Sequence, residues 1–335
     1  MDDWTVAELV ADPAWLVQAL DAETDRLRLV RLDERDYREA SFLDDRLFQS
    51  QRQVLVRPAS AVIEAATDLS RKDVRWIFHI GHVGSTLLAR LLGEFSGVLS
   101  VREPRVLRDV AFLAPERRKA ITPALQKVFS RTFDDAGLAI VKATSFVSEI
   151  AAELVPSAGK AVMMFAGARS YIETILAGPN SLVELRHLAD YRATRAGGRL
   201  PLYPLPKNDA ELAALAWACE MTSLEAAADQ LGCPVYWLDF DALLLDMPKL
   251  LAAVASYLSI DVHASIVAQV ASGPLTKRYS KDLTYAYTPE LRSELRAQVR
   301  VEHGGQIDEA VAMLHRMAVD APLLTRALGR IALES

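Results

Sequence analysis

One segment, RWIFHIGHVGSTLLARLLGEF at residues 75–95, restricts the fold more than any other part of the sequence. It begins with an apolar run that is typical of a buried strand. Gly81 and Gly84 then interrupt the run. Gly97 predicts the end of the helix that follows. The apolar residues of this helix have the spacing of one helical face: Leu87, Leu88, Leu91, Leu92 and Phe95. The segment therefore predicts a strand, a short glycine-containing loop and a helix in direct succession.

Four more apolar runs are each followed by a turn or by a helical pattern. They are GVLSV at 97–101, LAIVK at 138–142, AVMMFA at 161–166 and PVYWLDF at 234–240. Continuous apolar strands that alternate with helices are typical of a parallel sheet covered by helices. The sequence therefore predicts an α/β fold.

The length and composition allow one large domain. The chain has 335 residues, of which 51% are hydrophobic and 24% charged, as in ordinary globular proteins. We predict a single domain over 1–335, with an N-terminal flank (1–70), a core (75–290) and a helical C-terminal cap (289–335). In the cap, the apolar spacing predicts two helices, one through Leu291, Leu295 and Val299 and another through Ile307, Val311 and Leu314.

Charge and cysteine content exclude several classes of protein. The two cysteines are too few for a disulfide framework, and the net charge of −6 argues against a general nucleic-acid binder. No apolar stretch reaches the roughly 18 residues that a membrane span needs. The acidic N-terminus is not typical of a signal peptide. We expect a cytoplasmic protein with reduced thiols and no membrane span.

The loop between the first core strand and its helix has the composition of a phosphate-binding loop. Its residues are Gly81, His82, Val83, Gly84, Ser85 and Thr86. Glycines allow backbone N–H groups to converge on an anion, the helix N-terminus adds its positive dipole end, and the two hydroxyls can donate hydrogen bonds. The alternative is a plain strand-to-helix turn with Ser85 as the N-cap residue.

A nucleotide-triphosphate loop would carry a lysine after its last glycine, and this loop carries Ser85 instead. The missing lysine disfavours an ordinary kinase or NTPase. That alternative would need Asp239 or Asp241, after the PVYWL run, to hold magnesium. The loop is better suited to a donor whose 5′-phosphate stays bound while a group other than a phosphoryl group is transferred from it.

The segment GHVGSTLL resembles the 5′-phosphosulfate loop of the sulfotransferase family, although His82 stands where the family has lysine or arginine. VKATSFVSEIAAELVP resembles the family's KTH segment, with Lys142 at its lysine and Thr144 at its histidine. AVMMFAGARSYIETIL resembles the segment that holds the donor's 3′-phosphate, with Ala166 at the arginine and Thr174 at the serine. VYWLDFDALLLDMPKLLAAVASYLSI resembles the family's later Y-E-D-L signature.

These resemblances extend over about 75–290 and imply a fold, a donor and an acceptor class. The implied fold is a three-layer α/β/α domain with a central parallel sheet, of the P-loop NTP hydrolase-like, sulfotransferase type. The implied co-substrate is 3′-phosphoadenosine 5′-phosphosulfate, and no metal is expected. The acceptor would be a hydroxyl or amine of a small molecule or glycolipid. A noncatalytic nucleotide-binding protein of the same fold remains an alternative, and the oligomeric state stays open.

The catalytic candidates follow from the same resemblance. Glu103 lies 103 − 84 = 19 residues after Gly84, a spacing similar to that in bacterial glycolipid sulfotransferases with a glutamate base. His82 is the candidate to stabilise the leaving group, and Lys142 to contact the bridging or sulfuryl oxygens. The alternatives are a surface ion pair of Glu103 with a neighbouring arginine, Arg102 or Arg105, and an exposed lysine. We expect His79 to be a hydrogen-bonded core residue.

Two further segments are predicted to bind or cover the donor. The resemblance implies a 3′-phosphate site with Arg169, Thr174, Lys277, Arg278, Ser280 and Lys281, for which a solvated basic turn at 277–281 is the alternative. Residues 178–207 contain five basic and two acidic side chains and two adjacent glycines. They predict a long irregular lid whose charge attracts anions, or else a solvated insertion.

Overall fold

The computed structural model describes residues 4–49, 51–277 and 288–330. Within these ranges the chain forms eight strands: β1 (Trp15–Asp21), β2 (Arg26–Arg31), β3 (Val54–Pro58), β4 (Arg75–His79), β5 (Val98–Arg102), β6 (Leu138–Lys142), β7 (Lys160–Phe165) and β8 (Val235–Asp239).

The helices of the same ranges are α1 (Val6–Ala11), α2 (Glu34–Glu39), α3 (Ala59–Ala66), α4 (Ser85–Leu92), α5 (Arg105–Ala111), α6 (Pro115–Val128), α7 (Ala151–Leu154), α8 (Ala168–Leu176), α9 (Pro179–His187), α10 (Ala189–Ala196), α11 (Asp209–Gln230), α12 (Phe240–Leu245), α13 (Met247–Tyr257), α14 (Ala264–Ala271), α15 (Pro289–Ala318) and α16 (Pro322–Gly329). Short 3₁₀ helices lie at Asp45–Gln49, Ser145–Ile150 and Pro274–Lys277.

Five strands form one parallel sheet in the order β5-β6-β4-β7-β8. All five had been predicted from the apolar runs, and the α/β class is confirmed. Every residue of β4 from Trp76 to His79 is buried, as are all eight residues of α4. Helices that cover both faces of the sheet explain why its strands appear in the sequence as continuous apolar runs.

The N-terminal flank forms a second, antiparallel sheet in the order β1-β2-β3. Arg102, the last residue of β5, joins it to the large sheet by donating hydrogen bonds to the carbonyls of Tyr37 and Ala40. Burial lowers the pKa of Arg102 to about 9. The Leu43 N–H donates in turn to the Arg102 carbonyl, with an N–O distance of 2.7 Å. These bonds bring residues 42–46 beside the end of β5.

Most of the segment 178–207 is helical, so the prediction of a long irregular excursion was wrong. It forms α9 and α10 before an irregular stretch that ends at α11. Its arginines are neutralised: Arg186 pairs with Asp209, and Arg195 pairs with Glu220, whose carboxylate is buried on α11. Arg199 pairs with Glu149. The segment therefore does not present the free positive charge that the sequence count predicted. The count missed the neutralisation because the carboxylate partners lie outside the segment.

The two helices predicted in the C-terminal cap are one continuous helix. α15 passes through Gly304 and Gly305 without a break. It packs along α8 and α11, with Ile307 and Leu314 buried. Packing of this apolar face outweighs the cost of about 1 kcal/mol that each glycine adds inside a helix.

Candidate active site at the carboxyl edge of the sheet

The glycine loop has the backbone of an anion-binding concavity. Positive φ angles occur at Gly81 (80°), His82 (53°) and Gly84 (63°). α4 begins without a side-chain cap, since Gly84 is its N-cap residue and Ser85 lies inside the helix. The alternative with Ser85 as the N-cap is therefore wrong. The first-turn N–H groups of α4 are left for another acceptor, such as an anion.

The loop also has a polar atom that lacks a partner. Thr86 is 2% exposed, and its Oγ1 makes no hydrogen bond within the described part of the chain. A buried hydroxyl without a partner is costly, so such an atom marks a place where a ligand or water completes the structure.

Gly84 is required for two independent reasons. Its φ of 63° is in the left-handed region, which residues with a Cβ rarely adopt. A Cβ at this position would also lie 2.1 Å from Cε2 of Phe240, the first residue of α12. The Phe240 ring therefore packs directly on the loop backbone at the start of α4.

His79 ties the loop to the neighbouring strand, as expected for a hydrogen-bonded core residue. Its Nδ1 accepts from the Gly81 N–H at 2.9 Å, and its Nε2 lies 2.8 Å from the Ala143 carbonyl oxygen. This hydrogen-bond pattern assigns a neutral ring with its proton on Nε2. The ring thus fixes the entry of the loop relative to the end of β6.

Glu103 and Lys142 form an ion pair at the ends of β5 and β6. The Glu103 N–H donates to the Lys142 carbonyl at 2.8 Å, which extends the strand ladder past β5. The Lys142 side chain is 1% exposed and that of Glu103 14% exposed. Both alternatives from the sequence are therefore wrong: Lys142 is not a surface lysine, and Glu103 does not pair with Arg102 or Arg105.

The N-terminal flank supplies one wall of this site. Arg46 Nη2 is 3.9 Å from Glu103 Oε2, and the same guanidinium forms a 2.6 Å ion pair with Asp44. Arg46 stacks on the ring of Phe42, with its Cζ 3.3 Å from the centroid, and Lys142 Nζ is 5.7 Å from that centroid. These flank residues could not be predicted from the sequence, because no motif connects residues 42–46 with the end of β5.

His82 faces α9. Its Nδ1 lies 3.3 Å from Ser181 Oγ, and its Nε2 lies 3.6 Å from Glu184 Oε2. Its ring packs edge-on against Tyr171, with centroids 6.5 Å apart. The loop and α9 are therefore in direct contact through this side chain.

The candidates on α8 separate into one exposed and one internal residue. Arg169 is 48% exposed and pairs with Asp308 of α15. Thr174 Oγ1 donates to the Ser170 carbonyl at 2.7 Å and receives a 3.4 Å hydrogen bond from Arg292. Of the predicted C-terminal group, Lys277 is exposed at the end of a 3₁₀ helix. Arg278, Ser280 and Lys281 lie outside the described residues.

The two aspartates of the kinase alternative both have other partners. Asp239 Oδ1 accepts from the Ala242 N–H at 3.0 Å and caps α12, and burial raises the pKa of this carboxyl. Asp241 pairs with Arg292 at 2.7 Å and Arg296 at 3.4 Å. No group of three or more metal-ligating side chains occurs within residues 4–49, 51–277 and 288–330. Over the same ranges, no helix has the length and apolar character needed to cross a bilayer.

The sequence matches no protein-family model and no curated protein. Among solved structures, it is similar to the sulfotransferase domain from the curacin biosynthetic pathway (14% identity, 78% of this chain and 97% of that chain, TM-score 0.43). It is also similar to the sulfotransferase domain from the Synechococcus PCC 7002 olefin synthase (15% identity, 68% of this chain and 96% of that chain, TM-score 0.40). A third similar structure is mouse sulfotransferase SULT7A1 complexed with PAP (11% identity, 80% of this chain and 93% of that chain, TM-score 0.41).

All three are sulfotransferases, the family that the sequence motifs resemble. With TM-scores below 0.5, these likenesses say nothing about activity. The chemistry of this site follows from its own residues: an uncapped helix N-terminus, a carboxylate and an ammonium that meet at one edge of a parallel sheet.

Proposed function

We propose that this protein transfers a sulfuryl group from 3′-phosphoadenosine 5′-phosphosulfate to a hydroxyl or amine of a small-molecule or glycolipid acceptor. The observation that carries the proposal is the position of the Glu103–Lys142 ion pair, at strand ends next to the glycine loop. Open α/β sheets bind ligands at this edge. A proton acceptor and an anion-binding loop are thereby within reach of one ligand.

The loop fits the 5′-phosphate side of this donor. Backbone N–H groups of residues 81–86 and the hydroxyls of Ser85 and Thr86 would donate to it, and the unpartnered Thr86 Oγ1 supports this role. His82 would add a further hydrogen bond or a positive charge. Thr174 and the basic residues at 277–281 are the candidates for the 3′-phosphate.

Glu103 is the proposed general base. When bound, the donor supplies a sulfur that accepts a new bond from the acceptor oxygen or nitrogen, while its bond to the 5′-phosphate oxygen breaks and leaves the electron pair on that oxygen. The acceptor proton passes to the Glu103 carboxylate. Lys142 holds Oε1 of that carboxylate, so Oε2, which lies 3.9 Å from Arg46 Nη2, is the oxygen proposed to take the acceptor proton. Lys142 and His82 would supply positive or hydrogen-bonding groups for the charge that develops on the leaving phosphate.

The first test is ligand binding without metal. In EDTA, 3′-phosphoadenosine 5′-phosphate at about 100 times its dissociation constant should stabilise the fold by about 2.7 kcal/mol. ATP with Mg²⁺ and AMP are the comparison ligands. Stabilisation by ATP with Mg²⁺ alone would refute the proposed donor and favour the kinase alternative.

The second test uses ³⁵S-labelled donor with a panel of phenols, sugars, glycolipids and amines. Glu103→Gln should lower label transfer by at least about 100-fold, the range of general base catalysis, and should leave binding of the bisphosphate within a few-fold. Glu116→Gln, at an exposed carboxylate of α6, is the matched control. Transfer by Glu103→Gln within a few-fold of wild type would refute the base assignment. Binding without transfer to any acceptor would favour the noncatalytic alternative.

A further inference from the structure

Two buried arginines at the junction of the N-terminal flank and the large sheet have no acidic partner. Arg90 of α4 is 4% exposed, and Arg102 of β5 is 1% exposed. Arg102 donates to main-chain carbonyls, and Arg90 donates to the Glu39 carbonyl and the Ser41 hydroxyl. Neither guanidinium forms an ion pair within the described part of the chain. A buried charge without a counter-charge is costly, so a further ligand would be stabilising here.

Each of the two guanidinium groups has an unused N–H donor. The Arg90 Nε is buried and has no hydrogen-bond partner among the described residues. The Arg102 Nη1 carries two N–H groups, and its acceptor is the Ser100 carbonyl at 3.4 Å. The second N–H of Arg102 Nη1 and the N–H of Arg90 Nε are therefore available to an acceptor from outside the chain.

Both arginines line a small cavity between α2, α4 and β5. Its volume is about 10 Å³, which suffices for one water molecule or one ion of similar size. Glu34 and Arg38 of α2 also line the cavity, and both are exposed. The cavity thus extends from the surface of α2 to the two buried guanidinium groups, and a small ion can enter it from solvent.

The charges around the cavity are predominantly positive. Three arginines and one glutamate line it, Arg38, Arg90, Arg102 and Glu34, which gives a net charge of +2. Glu34 pairs with Arg38 at 3.3 Å, so it does not neutralise the buried arginines. Burial lowers the pKa of Arg90, and burial together with the charge of Arg90 lowers that of Arg102. Glu94, an exposed carboxylate after α4, opposes both shifts but leaves the local charge at +1.

We propose that this cavity binds a single monoatomic anion, chloride, between the guanidinium groups of Arg90 and Arg102. Water could accept the same two hydrogen bonds, but it would leave both buried charges uncompensated. Anions with four oxygens, such as sulfate or phosphate, are larger than the cavity. The proposal does not rest on the proposed function.

The ion would fasten the N-terminal flank to the large sheet. Arg102 already binds carbonyls of the flank, and Arg90 reaches Glu39 and Ser41 from α4. An anion between the two side chains would remove the repulsion between their charges. Because the unfolded chain does not contain this cavity, chloride should bind the folded state and stabilise it.

The first experiment measures the urea unfolding of the full chain in chloride and in gluconate, at a constant ionic strength of about 0.15 M. Gluconate controls for salt effects, since it is too large for the cavity. Chloride at about ten times its dissociation constant should lower the equilibrium constant of unfolding about 11-fold. Arg90→Gln should abolish this difference between the two salts. Arg75→Gln is the matched control, because Arg75 is a half-buried arginine that also donates to carbonyls and does not line the cavity.

The second experiment locates the ion without a variant, so it remains decisive if Arg90→Gln does not fold. Bromide resembles chloride in size and charge and scatters anomalously. Crystals of the wild-type protein grown in bromide should have an anomalous peak between the guanidinium groups of Arg90 and Arg102.

Each remaining outcome overturns the proposal. No anomalous peak in the cavity would mean that it holds water or nothing. A peak without any difference between chloride and gluconate would mean binding at crystal concentration only. A chloride effect that persists in folded Arg90→Gln, or that Arg75→Gln loses as completely, would place the responsible ion elsewhere.

Discussion

Replacement of Gly84 by alanine tests whether the loop is held by the contacts described above. A residue with a Cβ in the left-handed region costs about 1–2 kcal/mol. The new Cβ would also lie 2.1, 2.5 and 2.7 Å from three atoms of the Phe240 ring. That ring is 6% exposed and lies against Arg292, so it has little room to move. Overpacking of this kind costs about 1–3 kcal/mol. We expect Gly84→Ala to lower the free energy of unfolding by about 2–5 kcal/mol.

Gly81→Ala is the matched control. Gly81 has a φ of 80°, and a Cβ built there meets nothing within 4 Å. This variant should therefore lose only the conformational term of about 1–2 kcal/mol. The assay is urea unfolding at 25 °C, with equal denaturant slopes required before the free energies are compared.

A double-mutant cycle with Phe240→Leu separates the steric term from the conformational one. The smaller side chain should recover at least about 1 kcal/mol in the Gly84→Ala background relative to its effect in wild type. A Gly84→Ala variant no more destabilised than Gly81→Ala would refute a steric role of Phe240, and so would a cycle without coupling between positions 84 and 240.

Two predictions concern groups outside the loop. Burial raises the pKa of Asp239 above its ordinary value of 3.8, so its contribution to stability is greatest at low pH and is lost as the pH rises through the folded-state pKa. Asp239→Asn keeps an acceptor for the Ala242 N–H. The melting temperature of this variant minus that of wild type should increase from pH 4 to pH 7, and a difference that stays constant over this range would contradict the prediction. Burial also raises the pKa of the Cys219 thiol to about 12. At pH 8 a disulfide reagent should therefore modify at most the half-buried Cys233 in the native protein, and both thiols after unfolding. Fast modification of both cysteines in the native protein would contradict the burial of Cys219.

The strands of the large sheet could be predicted because their signal is local. Each is buried on both faces, so its residues form one apolar run, and the predicted bounds differ from the observed ones by no more than one residue at either end. The glycine loop was also predictable, since its positive φ angles fall on glycines at two of three positions. The third position is His82, and a histidine does not by itself predict a positive φ, because the surrounding residues hold its backbone in that conformation.

Side-chain partners were not predictable, because they come from distant parts of the chain. The arginines of residues 178–207 pair with Asp209, Glu149 and Glu220, which are carboxylates outside the segment, so a charge count within the segment could not reveal their neutralisation. Glu103 has neighbouring arginines in the sequence, but it pairs with Lys142, 39 residues away. Arg292 lies 118 residues from Thr174. An arginine repeat at 292, 296 and 300 was the only sequence signal, and such a repeat is as typical of a solvated helix face.

The distribution of charge bears on how this protein would bind an anion. The net charge is −6, and the basic residues of α9 and α10 are paired, so a broad attractive field would not be the basis of anion binding. The groups that the proposed function assigns to an anion are instead few: the uncapped start of α4, and Lys142 at the end of β6, whose ammonium also pairs with Glu103. Because these groups come from separate elements, their spacing is fixed by the packing of the whole fold. A ligand with two anionic groups at matching spacing would benefit from all of them, whereas a single phosphate would use only one.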